Sequence, residues 1–419
     1  MAQATATPEQ LTAADGTPLK LSLARAMRRR RLTAFLLATP LLLFVLVTFL
    51  MPIFDMLTRS VANPEVRSYW PEVTAALADW DGQELPDEAV FAALYRDLVA
   101  SKQARTVGKV ATRLNYEMSG MRSLIMKTQR KVRRIEPPYR EAFIAIDERW
   151  ADLDVWKLVK RMSSPYTLSY YLAAVDLRFD PDGNIVAQPE NKRIYVPLFL
   201  RTFRISLLIT ALCLLLGFPV SYLLATLPLR ISNLLMIMVL LPFWTSLLVR
   251  TTSWIVILQQ QGVLNDLLVW IGIIDDRNRI SMIYNQTGTV VAMTHILLPF
   301  MVLPLYSVMR TISPSYMRAA QSLGAHPWEA FWRVYAPLTL PGVGAGCLLV
   351  FILAIGYYIT PALVGGTSGQ LISNMIAYHM QKSLNWGLAA ALGTLLLVAV
   401  LILYWVYNRL VGVENMKLG

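Results

Sequence analysis

The chain has 419 residues, 55% of them hydrophobic and 16% charged, with a net charge of +12. A mean hydropathy of +0.46 excludes an ordinary soluble enzyme and a disordered protein. Charge is unevenly placed: residues 55–197 hold 20 of the 27 acids and 21 of the 39 bases, and the remaining 7 acids and 18 bases sit on a very apolar chain. This describes a membrane protein carrying one polar insertion.

In chain order, residues 1–32 read as a cytoplasmic tail whose first part is rich in Ala, Thr, Gln and Asp and has no apolar face. A transmembrane helix is expected over 33–54, its apolar run Thr33 to Leu50 following Arg25 and Arg28 to Arg31. About 30 polar residues precede that run and no small-residue cleavage pattern follows it, which argues against a signal peptide. Residues 55–197 then form the insertion. Its apolar positions, Phe91, Leu94, Leu98, Val107, Val110, Leu114, Met121, Leu124 and Ile125, then Phe143, Ile144 and Ile146, recur at helical spacing. Pro137 and Pro138 break one helix and Asp180 to Asn184 form a turn, so a small, mainly helical domain is expected. The basic run Lys127, Arg130, Lys131, Arg133 and Arg134 is read as a solvated face.

Five further spans are expected within 198–412, near Ser206 to Leu227, Leu234 to Leu258, Val290 to Met309, Gly342 to Tyr358 and Leu388 to Val406, before a short cytoplasmic tail at 413–419. The fold class is therefore an all-α, six-span membrane protein with a large extracytoplasmic insertion between spans 1 and 2. Basic residues in short loops (Arg230, Arg310, Arg318, Arg333, Arg409, Lys417) accumulate on the side of Arg28 to Arg31, which puts both termini in the cytoplasm. The surplus of bases lies beside apolar stretches, so it is assigned to bilayer orientation and no nucleic-acid partner is expected. Cys213 and Cys347 lie in apolar runs and are expected as buried free thiols. His295, His326 and His379 have no metal-ligand spacing, so no metal site is expected.

No phosphate-binding Gly-Lys-Ser/Thr loop, serine elbow or Glu-flanked histidine pair occurs. The chain is thus read as non-catalytic, with no cofactor of its own. The glycine-rich Gly365 to Gly369 lacks the lysine of a phosphate loop and is read as a flexible re-entrant connector.

The informative stretch is Arg318-Ala319-Ala320-Gln321-Ser322-Leu323-Gly324-Ala325-His326-Pro327-Trp328-Glu329-Ala330-Phe331-Trp332-Arg333-Val334-Tyr335-Ala336-Pro337. Small residues permit close approach, Gly324 permits a left-handed turn and Pro327 suits a helix start. Trp328, Phe331, Trp332 and Tyr335 are expected to form one aromatic face that fits a partner's groove. These residues resemble the coupling motif of permease subunits of ABC importers, in which Glu-Ala-Ala is followed by three residues, Gly, nine residues and Ile-x-Leu-Pro. Ala319, Ala320, Gly324, Val334 and Pro337 fall at the motif positions, whereas Arg318 stands where the family usually has Glu and Ala336 where it has Leu. Over 200–412, Pro242 to Arg250, Leu298 to Tyr306 and Pro337 to Gly342 resemble the spermidine/putrescine-type branch, which includes polyamine and opine transporters. The 143-residue insertion is not part of the family's pattern.

The resemblance implies a type I importer in a bacterial inner membrane: two permease subunits, two cytoplasmic ATPases that bind ATP and Mg, and a periplasmic solute-binding protein. The coupling loop would be 311–337, with Arg318, Ala319, Ala320, Gly324, Ala325, Trp328, Glu329, Arg333 and Pro337 meeting the ATPase. Polar residues inside the membrane mark a solute path, here Trp244, Thr245, Ser246 and Arg250 with Tyr357, Tyr358 and Thr360. Trp and Tyr would hold a cationic amine, and Arg250 would pair a carboxylate. The solute expected is a polyamine or a related opine or amino-acid-like compound. The competing classes are a gradient-driven carrier, which needs internal repeats and intramembrane titratable groups, and a membrane-anchored interaction protein acting through the insertion.

Overall fold

The computed structural model describes residues 19–411. The expected N-terminal tail up to residue 18, the C-terminal tail at 413–419 and Lys417 lie outside them. Two units are distinguished, Met1–Thr58 and Arg59–Gly419.

The first unit holds α1 (Leu19–Val45), a π-helical turn Leu46–Leu50 and most of α2 (Met51–Arg59). Arg30–Arg59 is a continuous helix apolar enough to cross a membrane. Its large apolar side chains from Leu32 to Phe54, among them Phe35, Leu37, Leu41 and Phe44, are exposed, as a lipid-facing helix requires.

In the second unit, the polar insertion folds around α3 (Glu65–Tyr69), α4 (Pro71–Ala76), α5 (Glu88–Gln103), α6 (Val107–Glu117), α7 (Met121–Lys131), α8 (Tyr139–Ile146), α9 (Leu153–Met162) and α10 (Ser169–Ala174). Phe91, Leu94, Leu98, Val110, Leu114, Leu124, Ile125 and Phe143, the positions at helical spacing, are fully buried in one cluster. Trp70, Trp150 and Trp156 join them. Phe91 meets the Trp156 ring edge-on at 4.7 Å, and each indole N–H finds a partner: Trp150 donates to Thr128 Oγ1 (2.9 Å) and Trp156 to the Trp150 carbonyl (3.0 Å), as buried tryptophans require. The Asp97 carboxylate accepts from the Val73 backbone N–H (2.8 Å), but burial pushes its pKa up to about 6. The whole basic run is exposed, and Lys127 within it pairs with Asp147 at 2.9 Å. The Asp180 to Asn184 turn closes a two-stranded antiparallel hairpin, β1 (Leu177–Phe179) and β2 (Ile185–Ala187). This hairpin departs from the all-α expectation: Asp180 Oδ1 accepts from the Asn184 N–H at 2.8 Å and fixes the turn.

The remaining helices are α11 (Tyr195–Thr226), α12 (Leu229–Leu240), α13 (Leu247–Leu258), α14 (Val263–Trp270), α15 (Gln286–Thr311), α16 (Ser315–Ser322), α17 (Pro327–Ala330), α18 (Ala336–Gly356), α19 (Ile359–Val364), α20 (Ile372–Gln381) and α21 (Trp386–Val411). Helices α11, α15 and α18 form the centre of the bundle around Ile205, Ile209, Met293, Leu297, Met301, Val350 and Ala354. Met301 lies between two glycines. A Cβ on Gly217 would stand 3.0 Å from it and one on Gly346 2.7 Å, so small residues set how closely these helices approach. Cys213 is buried, Cys347 is half-buried and both are free.

One expected span is different in kind. Residues Leu229–Trp244 and Leu247–Trp270 are two arms bent by 97°, where a single helix over Leu234 to Leu258 was expected. Pro242 lies in a 3-10 turn (Leu241–Trp244), Thr245 is extended, and Ser246 restarts the helix by accepting from the Val249 N–H at 3.2 Å. The other apolar spans are helices Tyr195–Thr226, Gln286–Thr311, Pro327–Gly356 and Trp386–Arg409.

The insertion sits at the end of the bundle where α11 and α21 begin. Tyr170 and Ala174 share a buried cluster with Leu198, Ile372, Leu388 and Leu392, and Tyr116 donates to the Ser383 carbonyl. The segment 311–327 lies at the opposite end, where Arg310 donates to the Ala225 carbonyl at the end of α11 (3.1 Å).

Candidate functional site

At the loop end, α15 gives way to α16, a turn and α17. The turn is closed by Gly324 N–H to Gln321 (3.0 Å) and Ala325 N–H to Ala320 (3.1 Å). Gly324 has φ +93°, a left-handed conformation that costs other residues about 1 kcal/mol or more. His326 caps α17, its Nδ1 accepting from the Trp328 N–H, and Pro327 occupies the first turn. Residues Phe331–Tyr335 then form a π-helical turn leading into α18.

The four expected aromatic rings stay in contact, Phe331 lying against Trp332 (5.4 Å) and Trp328 (6.4 Å), but they divide between solvent and the bundle. Phe331 and Tyr335 stack on each other (5.6 Å) and turn inward. Phe331 meets Tyr222 and Phe218 of α11 edge-on at 5.7 and 6.2 Å, and Tyr335 meets Tyr222 at 5.3 Å. Trp328 and Trp332 face outward, 67% and 55% exposed, beside Leu323 at 90% and Tyr316 at 54%. Arg318, Ala319, Glu329, Arg333 and Pro337 are exposed, whereas Ala320 and Ala325 are half-buried. Arg333 and Glu329 pair on the surface at 3.0 Å, a contact of small energetic weight. The segment thus has an unpartnered apolar outer face and an inner aromatic face locked onto α11. A π turn at such a joint is a common functional irregularity.

Within the bundle, the nominated polar residues separate. Trp244 is exposed, Thr245 bonds back to Pro242 and Ser246 is the α13 cap. Thr360 is fully buried, its hydroxyl 3.3 Å from Thr251, so it ties α19 to α13. Tyr357 and Tyr358 lend their carbonyls to Ser373 and Asn374 of α20. Arg250 is half-buried, and its Nε is enclosed without a hydrogen-bond partner. His295 is a residue the sequence reading did not place in the path; it accepts from Trp254 Nε1 at 3.2 Å. An intramembrane histidine on α15 was itself the available signal. Arg250 lies one turn before Trp254 on α13, so it shares a helix face with the indole that bonds His295 of α15, and the three form a polar, aromatic, cation-bearing group where these helices meet.

The glycine-rich connector is packed rather than loose. Thr289 donates to the Gly369 carbonyl (3.1 Å), the Tyr284 N–H donates to Val364, and a Cβ on Gly365 would stand 2.5 Å from Thr289. Among the described residues, no group of His, Cys, Asp or Glu could hold a metal ion.

Residues 214–412 match the family "Binding-protein-dependent transport system inner membrane component". The spermidine/putrescine transport system permease protein PotB of Escherichia coli is 36% identical over 222 residues, covering 52% of this chain and 80% of that protein. The chain belongs to this permease family. The counterpart from Salmonella typhimurium is also 36% identical, over 52% of this chain and 77% of its own. The molybdenum transport system permease protein ModB of Mycobacterium bovis is 28% identical over 59% and 90% of the two chains. A bacterial alginate ABC transporter, solved with an alginate pentasaccharide-bound periplasmic protein, overlays with a TM-score of 0.40 at 21% identity, covering 51% of this chain and 80% of that one. The chain is a multi-pass membrane permease subunit of an ABC importer.

Proposed function

We propose that the permease translocates a small polar amine, either a polyamine or a related opine or amino-acid-like compound, using ATP hydrolysed by two partner ATPases. A second permease subunit completes the pathway and a periplasmic solute-binding protein delivers the solute. The 36% identity to spermidine/putrescine permeases over 222 residues carries this reading. Arg250 inclines it toward an amine that also bears a carboxylate: a half-buried cation repels a bare polyamine and pairs a carboxylate.

In this reading the segment 311–337 faces the cytoplasm with both termini, and its outer face (Tyr316, Leu323, Trp328, Trp332) docks on the ATPase. Closure of the ATPases pushes α16 and α17, and the stack of Phe331 and Tyr335 on Tyr222 and Phe218 transmits the displacement to α11. Helices α13 and α15 then reorient the cluster of Arg250 and His295, a two-state response of the kind alternating access needs. The insertion at 55–197 lies outside, where it receives the binding protein.

Reconstitution with candidate ATPases, a second permease and a binding protein tests the reading. ATP-dependent accumulation of labelled solute is expected. Accumulation driven by an ion gradient without ATPase subunits would refute it.

A further inference from the structure

Between the insertion and the bundle lies a cavity of about 710 Å³. Lys109, Arg113, Arg122 and Lys382 line it against the carboxylate of Glu65. Arg113 is 2% exposed. Its Nε donates to Asn63 (2.7 Å), its Nη1 to Glu117 (2.9 Å), and its guanidinium lies over the Tyr170 ring, while Nη2 is buried with no partner. A buried guanidinium N–H without an acceptor is costly. Neither Arg122 nor Lys382 has an acidic partner among the described residues, and both are exposed. The cavity therefore has an excess of unneutralised donors. Glu65 leaves the opposite vacancy, an enclosed Oε2 that lacks a donor.

The height of the cavity narrows the candidates. Trp386, which lines it, is the first residue of the apolar span Trp386–Arg409, and tryptophan at the start of a span marks the level of lipid headgroups. We propose that this seam binds a phosphate ester, with the phosphate held by Arg113, Lys109, Arg122 and Lys382 and a hydroxyl or ammonium next to that phosphate donating to Glu65. A phospholipid headgroup supplies both groups at this level, as a soluble phosphate ester also would. Bound there, it joins α3 and α6 of the insertion to the segment between α20 and α21. The inference needs α21 to be a membrane span and is independent of the solute and of the partner subunits.

The experiment uses the whole chain purified in detergent, with binding read by native mass spectrometry and by the shift in unfolding temperature. Phosphatidylglycerol, whose headgroup carries hydroxyl donors, is compared with phosphatidylcholine, which has none, and with free glycerol 3-phosphate. Phosphatidylglycerol is expected to bind more tightly than phosphatidylcholine, and Lys382→Gln or Arg122→Gln to weaken it by about fivefold each. Arg133→Gln, outside the cavity, is expected to change nothing. Equal binding of the two lipids, or binding unchanged in both cavity variants, overturns the proposal. Displacement of phosphatidylglycerol by an equal concentration of glycerol 3-phosphate keeps the phosphate site and overturns the lipid as its source.

Discussion

Phe331→Ala tests the joint between the loop and the bundle. The Phe331 ring is half-buried against Tyr335, Tyr222 and Phe218 at 5.6, 5.7 and 6.2 Å. Removing a fully buried phenylalanine costs about 3–5 kcal/mol, so a half-buried ring with two edge-on partners on α11 contributes about 2 kcal/mol to the grip of the loop on that helix. Coupling free energies between sites are typically about 1–3 kcal/mol, so a loss of this size is enough to reduce the transmitted bias by about thirtyfold. Phe331 also lies against Trp332 (5.4 Å) and Trp328 (6.4 Å), but Leu323 and both tryptophans keep their own exposed surface, so ATPase binding should be weakened less than coupling. The assay is simultaneous measurement of ATP hydrolysis and solute uptake in proteoliposomes. The expected outcome is hydrolysis with uptake per ATP lowered by tenfold or more, and Phe331→Leu, which restores most of the volume, intermediate. Unchanged uptake per ATP refutes the transmission route. Loss of ATPase binding would refute the separation of the two faces.

Arg250→Gln should lower uptake at least tenfold while leaving the unfolding temperature unchanged or raised, because it removes a buried donor that has no partner; undiminished uptake would remove Arg250 from the path. Asp97 is held at a pKa of about 6, above its ordinary 3.8, so the folded state binds the extra proton between those values. Its contribution to stability is full below pH 4 and lost as pH rises through 6, by up to about 3 kcal/mol. Asp97→Asn keeps an oxygen for the Val73 N–H and should raise hydrogen-exchange protection of α4 and α5 at pH 7.5 but not at pH 4; equal protection at both would contradict the burial argument. Gly387→Ala places a Cβ 2.4 Å from the Tyr170 ring, an overpacking worth about 1–3 kcal/mol. It should lower the unfolding temperature by loosening the insertion on α21, and an unchanged temperature would mean that this seat is soft.

Periodicity made the insertion core legible, because Phe91, Leu94, Leu98 and Leu114 must all reach one centre from helices of fixed pitch. Trp70 and Trp150 were not legible: they lie at a helix cap and in a short 3-10 turn, where no period announces burial, whereas Trp156 lies within α9 beside Val155 and Val159. The same limit applies in the bundle. Hydropathy registers the length of an apolar run and is blind to its direction, so the 97° bend at Pro242 to Ser246 went unseen although proline and a capping serine stood in the sequence. The loop motif gave the Gly324 turn correctly, but ideal helical spacing predicted one aromatic face where the rings around the π turn at Phe331–Tyr335 divide between solvent and the bundle. Arg250 could be nominated from its residue type. Its grouping with His295 and Trp254 depends on α13 crossing α15, which local sequence does not specify.

The central claim is that the segment around Gly324 is where the ATPase engages and from which α11 is driven. Leu323, 90% exposed at the tip of the turn, offers the most direct measurement. A single cysteine there, in a chain with Cys213 and Cys347 replaced by serine, is paired with a short thiol-to-amine crosslinker in the assembled transporter. The account predicts a Leu323→Cys crosslink to the ATPase whose yield changes between the nucleotide-free and ATP-bound states. A crosslink that is absent in both states, with ATP-driven uptake intact, would contradict it.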